Sequence, residues 1–502
     1  MTMAMHNWFI RGLERSPDSP AIQDGSTARS FAEVHHIVSR WARALVTCQR
    51  VGVLSQRRDV CYLGILAALY AGATVVPLSP HWPVTRRQRV AQLATIDALI
   101  TDEDETKWLD TLKVRPLLFG PARQRAAEGL GNSYVADAST MAGPAYIMFT
   151  SGSTGDPKGV PISHSNVAAF LSALDDRYHF RPGDVFAQTF EITFDLSIFE
   201  TFGAWSSGAC TCPLSPIQVG NPARCVAERG ITVWMSTPSL ITMLAESGRL
   251  HPGSIPGLRY TVFCGEQLPV RTARAWASAA PRSELDNLYG PTEATVACTG
   301  FRVSSADIAS GFDDSETVPI GLPFPGVSCL LLGCDGRPDP VRGELCLTGP
   351  QVFDGYLAPA PGVFLDCEGK RWYRTGDQVQ WSDRHGYVHL GRVDDQVKVN
   401  GYRVELAEVE TAIRRCRPDA QSAVITVTDT SGLAILGAFI SVTQNESGRL
   451  RQLRQDLAEE LPPYMLPKHL WQISQFPVTL NGKVDRQALR KLAHRLLREG
   501  ST

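Results

Sequence analysis

The chain reads as an α/β protein, with a large body on mostly parallel sheet followed by a smaller α+β domain. Three observations predict this. Strand-like and helix-like segments alternate through the first 390 or so residues, the pattern of strands joined by helical crossovers. The texture changes after Arg392. The length, 502 residues, is too great for one core at about 100–200 residues per domain and predicts two to four domains. With 43% hydrophobic, 20% charged and 8% aromatic residues, the composition is that of an ordinary globular protein; disorder, collagen and coiled coil are excluded.

The elements follow in order. FAEVHHIVSRWARAL (31–45) carries apolar residues at helical spacing, and RVGVLS (50–55) reads as a strand. A second apolar helix, VCYLGILAALYAGA, leads into the strand-like TVVPLSP (74–80). Later segments, GELCLTG (343–349) and YVHLGR (387–392), are short and turn-rich, which predicts a small β-rich lobe. Beyond it, VDDQVKVNGYRVELAEVETAIRRC reads as a hairpin and then an amphipathic helix starting near Glu405. SAVITVTD and LAILGAFISV form a strand pair, and a charged helix runs from Arg449 to Glu460. We place the boundary at Asp394, giving domains 1–393 and 394–502. The basic end RQALRKLAHRLLREGST is expected to be a solvated helix.

Charge and cysteine usage narrow the function. Lys and Arg number 49 against 51 Asp and Glu, a formal net of -2, so no global field favours nucleic acid or an anionic membrane. No apolar run reaches the ~18 residues of a membrane helix, and the N-terminus lacks a signal-peptide core; a cytoplasmic location is expected. The twelve cysteines are scattered without zinc-type spacing, Cys210 and Cys212 coming nearest. Reduced, mostly buried thiols are expected.

The stretch YIMFTSGSTGDPKGVPISHSN (146–166) carries the chemistry. After Thr150 the small residues Ser151, Gly152, Ser153, Thr154 and Gly155 leave N–H groups and hydroxyls to surround phosphate oxygens, and Lys158 adds charge. Pro157 precedes the lysine and a glycine follows it, which disfavours the Walker spacing. Alone, such a loop also suits a flexible surface segment.

It resembles the signature loop of the adenylate-forming superfamily, which includes nonribosomal peptide adenylation domains, D-alanine:carrier-protein ligases, acyl-CoA synthetases and luciferases. LAALYAGATVVPLSP (66–80), TFDLSIFE (193–200), LYGPTEATV (288–296), GELCLTGPQVFDGYL (343–357), YRTGDQV (373–379), GRVDDQVKVNGYRVE (391–405), LPPYMLP (461–467) and NGKVDR (481–486) resemble its other motifs in order. The resemblance implies a large N-terminal domain of two α/β subdomains plus a β-rich lobe, and a mobile C-terminal lid. It implies ATP and Mg2+ as cofactors. Tyr289 would stack on adenine, Glu293 would help hold magnesium, and Asp377 would accept from the ribose hydroxyls. Asn287, Gly290 and Thr292 would complete the nucleotide site. Lys483 would bridge the α-phosphate and the substrate carboxylate, with Arg392 and Thr150 also catalytic. Asp394 would be the hinge, and Lys398, Gly401 and Arg403 would form the face used for thioester formation.

The resemblance extends to the substrate. Asp195 stands where relatives acting on amino acids pair the ammonium. The implied pocket comprises Leu196, Phe199, Met235, Val262, Cys264, Gly265, Leu288, Val296 and Ala297. None is charged, which predicts a small apolar amino acid such as alanine, proline or valine. FCGEQLP (263–269) and TFDLSIFE resemble D-alanine and prolyl:carrier-protein ligases. About sixteen residues follow NGKVDR with no phosphopantetheine-type serine motif, so a separate carrier protein bearing phosphopantetheine is the expected partner. A coenzyme A-acylating enzyme of the same fold and a non-catalytic binding homologue are the alternatives.

Overall fold

The computed structural model describes residues 3–25, 27–55, 59–102, 107–112, 114–118, 135, 143–152, 155–313, 316–429, 433–441, 447–478 and 484–499. It is a mixed α/β protein with two compact units. The first comprises Met1–Pro80, Ala91–Phe149 and Gly159–Val393; the second comprises His81–Val90, Thr150–Lys158 and Asp394–Thr502.

The first unit contains a nine-stranded and a six-stranded sheet. In the larger, Glu284–Tyr289, Tyr260–Phe263, Val233–Ser236, Val185–Gln188, Cys210–Pro213 and Pro20–Asp24 run parallel in that spatial order. Thr27–Ser30 and Thr299–Val303 add antiparallel strands. The smaller sheet pairs Arg50–Leu54 in parallel with Thr74–Leu78 and Ala98–Thr101. The expected parallel architecture is therefore present twice. Alternation along each strand separates two cores: Met235 and Val262 enter one cluster, while Trp234 and Phe263 enter another with Trp276.

Local chemistry sets the helices. Ser30 accepts from Glu33 N while the Glu33 side chain accepts from Ser30 N, a capping box that starts Phe31–Arg43. Its Phe31, Val34, Val38 and Trp41 are buried. Asp59–Tyr70 is apolar on every side and buried from Val60 to Tyr70, as a helix covered all round must be. The β-rich lobe is antiparallel, Arg342–Thr348 pairing with Ser328–Leu332 and Lys370–Ser382, and Gly386–Arg392 pairing with the latter.

In the second unit, Gln396–Val399 and Tyr402–Glu405 form a hairpin, then Leu406–Cys416 is helical. Gln421–Thr428 pairs antiparallel with Ala434–Ser441, which pairs parallel with His469–Ile473. The terminal helix Arg486–Arg498 corrects the expectation of a solvated end. Leu489 and Ala493, one turn apart, are buried in a cluster with Phe439 and Trp471, and Arg486 pairs with Glu410 at 2.7 Å.

Candidate active site

Several candidate residues of the first unit sit at the carboxyl ends of parallel strands, while Asp377 and Arg392 lie in the antiparallel lobe. Met235 lies near the end of Val233–Ser236, Cys264 and Gly265 directly follow Tyr260–Phe263, and Tyr289 closes Glu284–Tyr289. Asp195 follows Val185–Gln188 through a short loop. Side chains leaving strand ends on one side of such a sheet converge on a crevice.

Asp377 is a hub. Tyr289 donates its hydroxyl to Asp377 Oδ2 at 2.6 Å, and Arg392 Nη1 donates to Oδ1 at 2.8 Å. His389 Nε2 lies 3.2 Å from Oδ1. Arg392 is the strand partner of Asp377, so sheet register itself makes the ion pair. Burial, with the Asp377 charge second, drives the Tyr289 phenol far above its ordinary range and keeps it a donor. The ring is thereby held by its hydroxyl. His389 is also tied to Gln267, whose Nε2 lies 3.0 Å from Nδ1.

Glu293 is fully buried in the turn Thr292–Ala294. Tyr356 donates to its Oε1 at 2.5 Å. A buried carboxylate fits a hard cation, which prefers oxygen ligands and retains waters. The turn is strained: Thr295 and Val296 have φ of 58° and 71°, costing β-branched residues about 1–3 kcal/mol each. Buried Gln351 clamps it, donating to Ala297 O at 2.7 Å and accepting from Thr295 Oγ1 on its own carbonyl at 2.6 Å. Gly290 must be glycine, because a Cβ there would lie 2.6 Å from Ala297 Cα.

Leu196, Phe199, Met235, Val262, Cys264, Leu288, Val296 and Ala297 all fall in one buried cluster. Phe199 also packs edge-on against Tyr178 and Phe180, so part of its surface serves the core. Asp195 stands at the N-cap of Leu196–Ile198, yet its side chain makes no cap hydrogen bond. Its charge instead faces buried Tyr146, where, after burial, it is the second influence raising the phenol. Asn287 is committed to the scaffold: Nδ2 donates to Val318 O at 3.1 Å and Pro319 O at 2.8 Å.

In the second unit, Ser151 Oγ donates to Arg403 O at 2.9 Å and accepts from Glu405 N at 3.1 Å. Gly152 N donates to Glu408 Oε2 at 3.1 Å, and Arg86 Nη1 pairs with Glu408 Oε1 at 2.7 Å. A Cβ on Gly152 would meet Asp156 O at 2.0 Å, so only glycine permits this turn. Gly155 closes it, donating to Gly152 O at 3.1 Å. Thr150 Oγ1 is buried with no hydrogen-bond partner among the described residues, and Lys158 begins the strand Lys158–Ile162. Lys398 pairs with Arg403 across the hairpin whose turn holds Gly401. Asp394 caps Gln396 N at 3.2 Å. Ser153, Thr154 and Lys483 lie outside the described residues.

The sequence reading missed His389, Gln267, Tyr356 and Gln351. Each lies in a stretch quoted above, Gln267 in FCGEQLP, Gln351 and Tyr356 in GELCLTGPQVFDGYL and His389 in YVHLGR, but nothing in the stretch marks its partner; only the fold brings it to its carboxylate or carbonyl. Among the described residues, no helix is long and apolar enough to cross a membrane.

The first unit thus carries a carboxylate hub hydrogen-bonded to a tyrosine at a strand end and a buried glutamate in a glycine-led turn. The chain belongs to the AMP-binding enzyme family: the family model matches residues 9–357, and the model of its C-terminal domain matches 408–483. Syringomycin synthase SyrB1 of Pseudomonas syringae pv. syringae is 32% identical over 97% of this chain and 81% of its own length. The chain spans only 6% to 9% of three other curated relatives. The Vibrio cholerae adenylation domain AlmE, solved with glycyl-adenosine-5'-phosphate, is 27% identical with a TM-score of 0.84, covering 98% of both chains. PA1221, described as an NRPS protein containing adenylation and PCP domains, is 25% identical with a TM-score of 0.81, over 97% of this chain and 84% of that one.

Proposed function

We propose that the chain activates a small apolar amino acid with ATP and transfers it to the phosphopantetheine thiol of a separate carrier protein. The carrying observation is Asp195, a carboxylate unused as a helix cap, beside an uncharged buried cluster. Leaving an ammonium unpaired in such surroundings costs several kcal/mol, so the aspartate selects amino acids over plain acids. The glycyl adenylate carried by AlmE supports a small substrate, and the carrier domain of PA1221 supports the partner.

The substrate carboxylate oxygen attacks the α-phosphorus, the bond to the β-phosphate bridging oxygen breaks, and pyrophosphate leaves. The carrier thiol, losing its proton, then attacks the aminoacyl carbonyl and AMP departs. Lys483 offsets the repulsion between the two anions of the first step. Asp377 orients the ribose, and Tyr289, fixed through its hydroxyl, presents a ring to adenine. Glu293 would hold magnesium, which would supply charge neutralisation on the phosphates.

Pyrophosphate exchange across L-, D- and β-amino acids tests the reading. Exchange with a small apolar amino acid is expected; none with any amino acid overturns it. Supplying coenzyme A or a carrier protein as acceptor then identifies the second step: equal rates with both remove the carrier assignment.

A further inference from the structure

Glu200 ends the TFDLSIFE stretch and has no part in the roles above. It is fully buried on a helix that widens into a π turn over Phe199–Gly203, a local insertion that re-aims a side chain and recurs at functional sites. Its carboxylate gathers the segment after the strand Val185–Gln188. Thr189 N donates to Oε1 at 2.8 Å, Phe190 N to Oε2 at 3.2 Å, and Gln188 Nε2 to Oε2 at 3.1 Å. Gln188 is in turn held by Tyr62, whose hydroxyl donates to its Oε1 at 2.8 Å.

Thr189 links this carboxylate to the pocket. Its Oγ1 lies 2.8 Å from Glu200 Oε1 and 2.9 Å from Met235 O. A threonine hydroxyl has one proton, so the two acceptors share it and hold the Met235 main chain at a set distance from the buried carboxylate. Met235 is beside Val262 in strand register. The same carboxylate anchors residues 189 and 190, which begin the segment leading to Asp195. One buried carboxyl group therefore sets both walls of the cluster: the strand end carrying Met235 and the loop carrying the ammonium partner.

We propose that Thr189 and Glu200 are positioning residues for amino-acid side-chain selectivity, acting through the Met235 main chain and the 189–195 segment. The inference rests on the amino-acid reading given above. A pocket wall displaced by a few tenths of an ångström changes which side chain packs well, and one methylene is discriminated by about 10- to 200-fold in such a pocket.

The test compares wild type, Thr189→Val and Thr189→Ser by pyrophosphate exchange, using the preferred amino acid and its homologue one methylene larger. Thr189→Val keeps volume and the backbone N–H to Glu200 but removes the shared proton. It is expected to reduce the kcat/KM ratio between the two amino acids about tenfold and to leave the ATP KM unchanged. Thr189→Ser restores the hydroxyl and is expected to restore the ratio. A wild-type ratio in Thr189→Val overturns the inference while the amino-acid reading stands. Equal loss toward ATP and both amino acids, unrescued by serine, also overturns it, since that is a folding defect. Absence of exchange in the wild type removes the amino-acid reading, and this inference with it.

Discussion

At the scale of single residues, Asp195 is the sharpest point. An aspartate before a short helix is most simply a cap, yet its side chain makes no such bond. Asp195→Asn keeps the shape and removes the charge. Charge-assisted hydrogen bonds contribute about 1.5–3 kcal/mol, so kcat/KM for the amino acid is expected to fall about 10- to 100-fold in pyrophosphate exchange, with ATP KM constant. An unchanged amino-acid KM would refute the ammonium pairing. Thiol reactivity gives a second prediction. Burial pushes Cys210 and Cys212 up to about 12, whereas Cys334 is exposed. Thiolate, not thiol, reacts, so a thiol reagent on the native protein should show a rapid phase that Cys334→Ser abolishes. A rapid phase of undiminished amplitude after that substitution would contradict the burial pattern, in which Cys334 is exposed while Cys48, Cys329, Cys367 and Cys416 are half-buried. Motif residues such as Asp377 and Glu293 were legible because they are read with their neighbours. Their supports were not, because Tyr356 is 63 positions from Glu293 and Gln267 is 122 from His389.

At the scale of elements, capping signals and alternation made the strands and most helices readable, as Ser30 with Glu33 illustrates. The turn after Glu293 was not readable. Its positive φ values fall on Thr295 and Val296, residues whose local preference opposes that conformation; Gln351 overrides it from a distant strand end. The N-terminal helix Met5–Arg15 carries a pH prediction. Burial, aided by the neighbouring His164, lowers His6 to about 4, and burial lowers His164 to about 4. Both are neutral when folded, while the unfolded chain takes up protons below about 6.5. Their stability contribution is thus fully present above pH 6.5 and is lost as pH falls toward 4, worth about 3 kcal/mol for buried His6. His6→Gln should therefore flatten the fall of the unfolding midpoint between pH 7 and 4.5 relative to wild type. Parallel curves would show that His6 does not titrate in this way. Asp286, buried between Arg177 and Arg302 at 2.8 Å each, joins a helix end to a strand. Asp286→Ala takes this carboxylate from Arg177 and leaves part-exposed Arg302 with Glu284, and should cost about 1–3 kcal/mol by chemical denaturation; a cost below about 0.5 kcal/mol would show that water compensates both.

At the scale of the molecule, the two α/β sheets and the β-rich lobe follow the sequence reading because each rests on local period and turn chemistry. The compact units were less legible: His81–Val90 and Thr150–Lys158 cluster with the residues from Asp394 onward, and no local signal marks such a grouping. The glycine-rich segment thus shares a compact unit with the hairpin bearing Lys398 and Arg403, through Ser151 and Glu408. If one cleft serves two reactions in turn, the groups for each step must be separable by mutation. If Lys483 stabilises charge only while carboxylate and α-phosphate meet, as proposed above, Lys483→Ala should depress adenylate formation by about 100-fold or more, the scale of losing one electrostatic contact to a transition state. Transfer from chemically supplied aminoacyl adenylate to the carrier thiol involves no approach of two anions at that lysine and should retain most of its rate. Single-turnover measurements of both half-reactions decide the matter: equal loss in the two would mean that Lys483 supports the site as a whole, and the division of labour between lysine and hairpin would fall.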